Sequence, residues 1–341
     1  MRTDELPGLN LAGLRAFLDD ARPGMVRGEL RGSVIAGGRS NLTYRVTDGH
    51  SDWVVRRPPL GHVLATAHDM GREFRVINAL GPTDVPVPGT VVSCADPDVL
   101  GAPFYVMDKV DGTAYRRASE LERLGAERTR AVCVRMVDTL AVLHDVDPVG
   151  VGLADFGRPD GFLVRQVKRW KQQLDASRTR DLAGIDGLHA LLESRVPVQS
   201  PPAIVHGDYR LDNLLVDDAD RVAAVLDWEM ATLGDPLTDV ALLVAYGGLS
   251  DLDGADVVAD AGEAPGFLTP PEMLARYQQR SDRDLSAMGF YVGLAYFKLA
   301  VILEGIHYRY TQRKTVGSGF EKVGTIVEPL VSAGLTSLKE D

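Results

Sequence analysis

The chain has 341 residues, 45% of them apolar and 25% charged, with a formal net charge of −11. That length is enough for two sizeable cores, and the acidity argues against nucleic acid or an anionic membrane as a partner held by bulk electrostatics. Two cysteines, Cys94 and Cys133, and no Cys/His cluster fit a reduced, cytoplasmic chain without a thiolate metal site.

In chain order, residues 10–22 read as a short helix with Leu11, Leu14, Phe17 and Leu18 on one face. Strand patterning follows. Gly32–Ile35 leads into a glycine-containing loop, and Leu42, Tyr44 and Val46 then alternate with Thr43 and Arg45. In that loop Gly38 permits close backbone approach, while Ser40 and Asn41 offer small donors. Such a loop suits nucleotide phosphates, although paired glycines between strands are more often a plain hairpin. A third strand, Asp52–Arg57, ends at Pro58-Pro59. Val54 and Arg56 share one face of it, so Val54 would meet a base and Arg56 a phosphate, with Arg57 pointing away. The spacing predicts a helix over 66–80, capped by Thr66, with Met70, Phe74, Ile77 and Leu80 as its apolar stripe. Glu73 flanks the stripe and has Arg56 as its natural partner.

Val91–Cys94 and Phe104–Met107 read as two more strands, giving five in all. The Asp111-Gly112 pair marks a turn and the boundary between a domain of residues 1–109 and one of 110–341. Leu121–His144 reads as one long helix with no proline in it, and His144 as a helix-end residue. Gly161–Ser177 reads as a helix whose Arg165, Lys168, Arg169 and Lys171 form a solvated face or meet a substrate phosphate. Ala287–Leu303 approaches the length of a membrane span, but Lys298, Gly289 and Gly293 make it a buried core helix instead.

The informative stretch is residues 204–239. It holds H-G-D-x-x-x-x-N from His206 to Asn213, then D-W-E from Asp227, then G-D-P-x-x-D ending at Asp239. Asp208, in a turn after a hydrophobic strand, suits a base that takes a proton from a hydroxyl. Asn213 and Asp227 are hard oxygen ligands for Mg²⁺ on nucleotide phosphates. Glu229 is a further candidate for contact with metal, water or substrate. His206 reads as a hydrogen-bonded residue that holds the turn, with Asp239 as its anchor. Asp235-Pro236 opens a helix, the aspartate as cap.

HGDYRLDN together with LDWEMATLGDPLTD resembles the aminoglycoside phosphotransferase (choline kinase-like) family over about residues 25–310. VVRRPPLGHVLATAHDMGREFRVINAL, FYVMDKVDG and FGRPDGFLVRQVKRW are similar to the branch found as the kinase domain of acyl-CoA dehydrogenase family members 10 and 11. The resemblance implies an α+β, two-lobed protein-kinase-like fold, with a small antiparallel-sheet N-lobe and a mostly helical C-lobe. It implies an ATP- and Mg²⁺-dependent kinase acting on the hydroxyl of a small molecule. Asp208 would be the catalytic base, Asn213 and Asp227 the metal ligands, and the backbones of Asp108 and Val110 the adenine contacts. Gly38, Ser40, Asn41, Arg56 and Glu73 would serve the phosphates. Most of the superfamily has lysine where this chain has Arg56, which leaves ATP against GTP open. The branch suggests a hydroxyacyl-CoA or hydroxy acid as acceptor. An amino alcohol, an aminoglycoside, and a nucleotide-binding pseudokinase with a regulatory role are the alternatives. Oligomeric state is not legible.

Overall fold

A tyrosine and a valine on one strand, Tyr44 and Val46, are completely buried while Arg45 between them is exposed. That alternation is what a half-buried strand requires, and it fixes the register of the N-terminal sheet. The computed structural model describes residues 6–35, 41–60, 69–252, 254, 258–314 and 320–339. The chain divides into two compact units. The first is Met1–Asp111 with Ala223–Ala231, and the second is Gly112–Val222 with Thr232–Asp341.

The first unit begins with α1 (Leu11–Ala21), capped by the Asn10 side chain, which accepts from the Gly13 N–H at 3.1 Å. Its five strands are β1 (Arg31–Val34), β2 (Leu42–Thr47), β3 (Asp52–Arg57), β4 (Thr90–Cys94) and β5 (Phe104–Asp108), ordered β1-β2-β3-β5-β4 with every neighbouring pair antiparallel. Leu14 and Leu18 of α1 join Tyr44, Val46, Trp53, Val55 and Phe104 in a single apolar cluster. Between β3 and β4 lies α2 (Met70–Leu80), which buries Met70, Val76, Ile77 and Leu80. This helix starts later than the sequence pattern suggests. Asp69, not Thr66, supplies the cap, its carboxylate accepting from the Arg72 N–H at 2.9 Å. Thr66 itself lies outside the described residues, as do Gly38 and Ser40. The turn expected after β4 contains one helical turn, α3 (Pro97–Leu100), closed by left-handed Gly101.

The second unit is mostly helical. The helix expected over 121–144 is two, α4 (Ala118–Leu124) and α5 (Ala126–Asp145), because Gly125 takes a φ of +92° that a continuing helix cannot use. Then come α6 (Phe162–Ser177) and α7 (Ile185–Ser194). Three short strands follow, β6 (Ala203–Val205), β7 (Leu214–Val216) and β8 (Val222–Val225), the last of which ends in the first unit's segment. β9 (Thr232–Gly234) pairs antiparallel with β6. The remaining helices are α8 (Leu237–Gly247), α9 (Pro270–Arg280), α10 (Met288–Thr311) and α11 (Val327–Ser337). α8 starts one residue after Pro236, and the Asp235 carboxylate accepts from the Leu237 N–H at 3.1 Å. α10 is long and apolar enough to cross a membrane by length and composition alone, but most of it is buried within this unit. It packs against α6, α7, α8 and α11.

Candidate functional site

Each unit carries one cluster of functional side chains. In the first, β3 turns Arg56 toward α2, where Glu73 is 1% exposed. Arg56 Nε lies 3.1 Å from Glu73 Oε2. The same guanidinium donates a short hydrogen bond to Asp227 and stands 3.9 Å from Glu229. Segment Ala223–Ala231 brings in both of those carboxylates. It is tied down by the Val225 N–H donating to Pro86 O at 2.8 Å and by Arg72 Nη2 donating to Ala231 O at 3.1 Å. Asp227 sits in the left-handed backbone region at φ +65°, which is strained for a side-chain-bearing residue. Trp228 beside it is buried, its indole N–H donating to Val225 O at 3.0 Å.

Burial pushes the Glu73 carboxyl up to about 7; Arg56 opposes this, while Asp227 and Glu229 reinforce it. Burial also works against the Arg56 charge, but Glu73, Tyr105 and Asp227 more than offset it and hold the guanidinium above its ordinary value. The cluster is therefore a buried cation shared among carboxylates. The expected Arg56–Glu73 pairing is present, and the link from Arg56 to Asp227, 171 residues away, is an addition to it. Asn41 is buried, and its amide donates to Glu229 Oε2 at 3.0 Å. Arg57, on the face opposite Arg56, is 4% exposed and donates to the carbonyls of Gly8 and Leu100 at 2.7 and 2.6 Å. The Asp108 N–H donates to Gly89 O at 2.7 Å. Val110, just past β5, is half-buried, and among the described residues its N–H has no backbone partner.

The second unit's cluster is built on the turn after β6. Gly207 has φ +85°, a conformation that lets the chain reverse between His206 and Asp208. Asp239, on the first turn of α8 and 1% exposed, fixes this reversal. Its carboxylate accepts from the His206 N–H at 2.6 Å and from the Gly207 N–H at 2.8 Å. His144 Nε2 lies 3.5 Å from the same carboxylate, and His144 Nδ1 lies 2.8 Å from the Tyr277 hydroxyl. So His144, read from sequence as a helix-end residue, is a buried support of the turn. Burial would raise the Asp239 carboxyl, but His144 and the Gly207 N–H hold it below its ordinary value. Burial pulls His144 down in turn, against the pull of Asp239. The anchor thus serves backbone amides on one side and an imidazole on the other.

Asp208 N–H donates to His206 Nδ1 at 3.2 Å. Asn213 Nδ2 donates to the Asp208 carbonyl at 2.9 Å and to its carboxylate at 3.2 Å. This leaves the Asn213 carbonyl oxygen as the atom free to act as a ligand. Tyr209 is fully buried, and its hydroxyl donates to Met136 O on α5 at 2.8 Å. Arg210 lies over the Tyr246 ring at 4.4 Å and is paired with Asp212. Lys298 of α10 donates to the Gly207 carbonyl at 2.6 Å. Lys298, the one charge in the apolar run 287–303, thus has a role at this turn. A single lysine inside an apolar helix was the available signal for a buried role.

Among the described residues, no group of three or more His, Cys, Asp or Glu side chains is arranged to hold a metal. Asn213 and Asp227 offer one hard oxygen donor each, the pattern of Mg²⁺ bound largely through substrate phosphates rather than by a protein cage. The donor chemistry fits that ion.

Residues 31–279 match the model of the phosphotransferase enzyme family. The chain belongs to that family. It is 33% identical over 334 residues to acyl-CoA dehydrogenase family member 11 of Rattus norvegicus, covering 96% of this chain and 43% of that protein. It is 32% identical over 305 residues to acyl-CoA dehydrogenase family member 10 of Mus musculus, covering 86% and 28%. The chain therefore spans less than half the length of these curated relatives. Among solved structures, a candidate aminoglycoside phosphotransferase from Ralstonia eutropha JMP134 superposes with TM-score 0.85 at 30% identity, over 97% of this chain and 98% of that one. A choline/ethanolamine kinase family protein from Mesorhizobium loti, at TM-score 0.59 and 17% identity over 97% and 99%, shares the fold. The fold of this phosphotransferase is protein-kinase-like, a small antiparallel sheet in one unit and helices in the other.

Proposed function

We propose that this phosphotransferase moves the γ-phosphoryl group of ATP, with Mg²⁺, to the hydroxyl of a small molecule, and that the acceptor is a hydroxyacyl-CoA or a related hydroxy acid. The observation that carries the reading is the Asp208 turn. Its carboxylate is held by a backbone reversal whose two N–H groups are fixed on the buried Asp239. A base mounted this way needs no reorganisation to meet an acceptor hydroxyl. Asp208 orients that hydroxyl and takes its proton as the new O–P bond forms. Mg²⁺, when bound, would supply positive charge against the charge building on the transferring group.

Asn213 and Asp227 would hold the ion, through the amide oxygen and the carboxylate respectively. Arg56, kept in place by Glu73, has a guanidinium fork suited to two phosphate oxygens. That fork is now on Asp227, so nucleotide and metal would compete with an existing ion pair. The exposed edge after β5, with the Val110 N–H and the Asp108 carbonyl, supplies a donor and an acceptor for a purine. Asn41 would act on the phosphate side through Glu229 instead of directly. The names of the curated relatives favour an acyl-CoA context for the acceptor.

A single-turnover reaction with labelled ATP and a mixed pool of hydroxy acids, hydroxyacyl-CoA esters, amino alcohols and aminoglycosides tests this, with products identified by mass spectrometry. A phosphorylated hydroxy acid or its CoA ester is expected, absent in Asp208→Asn. A phosphorylated amino alcohol or aminoglycoside would reassign the acceptor. ATP binding with no product from any member of the pool would make the chain a nucleotide-responsive regulator.

A further inference from the structure

Lys298 is half-buried, on a helix whose other side chains at this level are apolar. Its ammonium carries three N–H donors, and the structure gives one of them a partner, the Gly207 carbonyl at 2.6 Å. Among the described residues, no carboxylate lies within ion-pair distance of it, although Asp208 and Asp239 act on it at longer range. A second cation, the exposed Arg169 of α6, acts on it as well. Lys298 Nζ and the Arg169 guanidinium each lie 5.6 Å from the centre of the buried Trp170 ring on α6.

The rest of the α6 basic run is already engaged. Arg165 donates to the carbonyls of Asp160 and Arg158, and Lys171 pairs with Asp175 at 2.5 Å. Arg169 has no such partner among the described residues. Arg169 is exposed and open to an anion from solution, while Lys298 is withdrawn from water with one donor paired. Burial pulls the Lys298 ammonium down, Asp208 and Asp239 hold it up, and Arg169 pulls it down further. An anion within reach of both cations would offset the desolvation of Lys298 and the repulsion from Arg169.

We infer that Lys298 and Arg169, over Trp170, form a subsite for an anionic group on the acceptor, a carboxylate or a phosphate, one residue from the base-bearing Asp208. This rests on the reading of Asp208 as the acceptor's base, and it narrows that acceptor to a negatively charged hydroxy compound. A polycationic or quaternary-ammonium acceptor would be repelled at this place.

Calorimetric titration of the whole chain, without nucleotide or metal, tests the subsite independently of transfer. Three probes are compared: 3-hydroxybutyrate, which carries a carboxylate; 3-hydroxybutyryl-coenzyme A, which carries phosphates and no free carboxylate; and neutral 1,3-butanediol. At least one charged probe should bind more tightly than the diol and weaken as salt rises from about 0.05 to about 0.3 M. Lys298→Gln keeps a donor for Gly207 and removes the charge. It should raise the Kd of the charged probe about tenfold, and Arg169→Gln, which leaves the turn untouched, about threefold. Lys298→Arg should restore most of the affinity. Binding of the acid alone assigns the subsite to carboxylate, and of the CoA ester alone to phosphate. Equal affinity for all three probes, no binding of either charged probe, or a Kd unmoved in both Gln variants overturns the inference. If charged probes bind as expected while no transfer is ever seen, the subsite stands and the kinase reading falls.

Discussion

The two clusters hold an aspartate each by opposite means. Asp227 is held by charge: a guanidinium that also serves Glu73 and stands near Glu229. Asp208 is held by backbone: a left-handed glycine, two amides fixed on a buried carboxylate, and the amide of Asn213. A charge-held group can exchange its partner for another cation, as a metal ligand must. A backbone-held group stays where it is, as a base aimed at one proton must. Asp227 and Asp208 lie in different units.

The strongest way to break the rigid side is Asp208→Asn. Turnover should fall by about 10²- to 10⁴-fold, while calorimetric ATP affinity stays near that of the parent; retained turnover would remove Asp208 from the base role. On the charge-held side, Arg56→Ala leaves Glu73 buried beside Asp227 with no cation. Chemical denaturation should show a loss of about 3–5 kcal/mol, much of it recovered in the double variant Arg56→Ala/Glu73→Gln. No recovery would mean that packing, and not charge, dominates there. Asp239→Asn can accept one of the two turn amides and leaves the other unmet. A cost of about 1–3 kcal/mol is expected, together with a lower kcat at unchanged nucleotide affinity. The smallest effect is a slope. Burial depresses the folded His144 imidazole below its ordinary value. Its contribution is therefore complete above the unfolded value of about 6.5 and is lost as the pH falls through that value toward the folded one. His144→Asn should flatten the parent's loss of stability on that acid side, and identical pH curves for the two proteins would rule His144 out as the source.

Much of this was legible from residues because it is local. Glycine before Asp208, Asn213 five residues on, and the paired faces of β3 all follow from spacing and strand alternation. The Arg56–Glu73 pair followed from one step beyond that, a glutamate flanking an apolar stripe. What the sequence hid is long-range or conformational. Asn41 to Glu229 and Lys298 to Gly207 join residues 188 and 91 apart, which no periodicity encodes. The break at Gly125 was missed because a lone glycine in a helical pattern is usually tolerated, and only its positive φ ends the helix. That Arg57 points away from Arg56 follows from alternation, but not that its guanidinium is spent on the carbonyls of Gly8 and Leu100, 49 and 43 residues away.

The segment Ala223–Ala231 carries a consequence for synthesis. The first unit's sheet is encoded by residue 111, yet the strip bearing Asp227 and Trp228 belongs to that unit. At about 5–20 residues per second, a ribosome makes it roughly 6–24 seconds later. During that interval Arg56 has Glu73 but not Asp227, and Pro86 waits for the amide of Val225. The first unit therefore emerges without this strip, and nascent chains arrested at residue 150 should be cut by protease where chains arrested well beyond 231 resist.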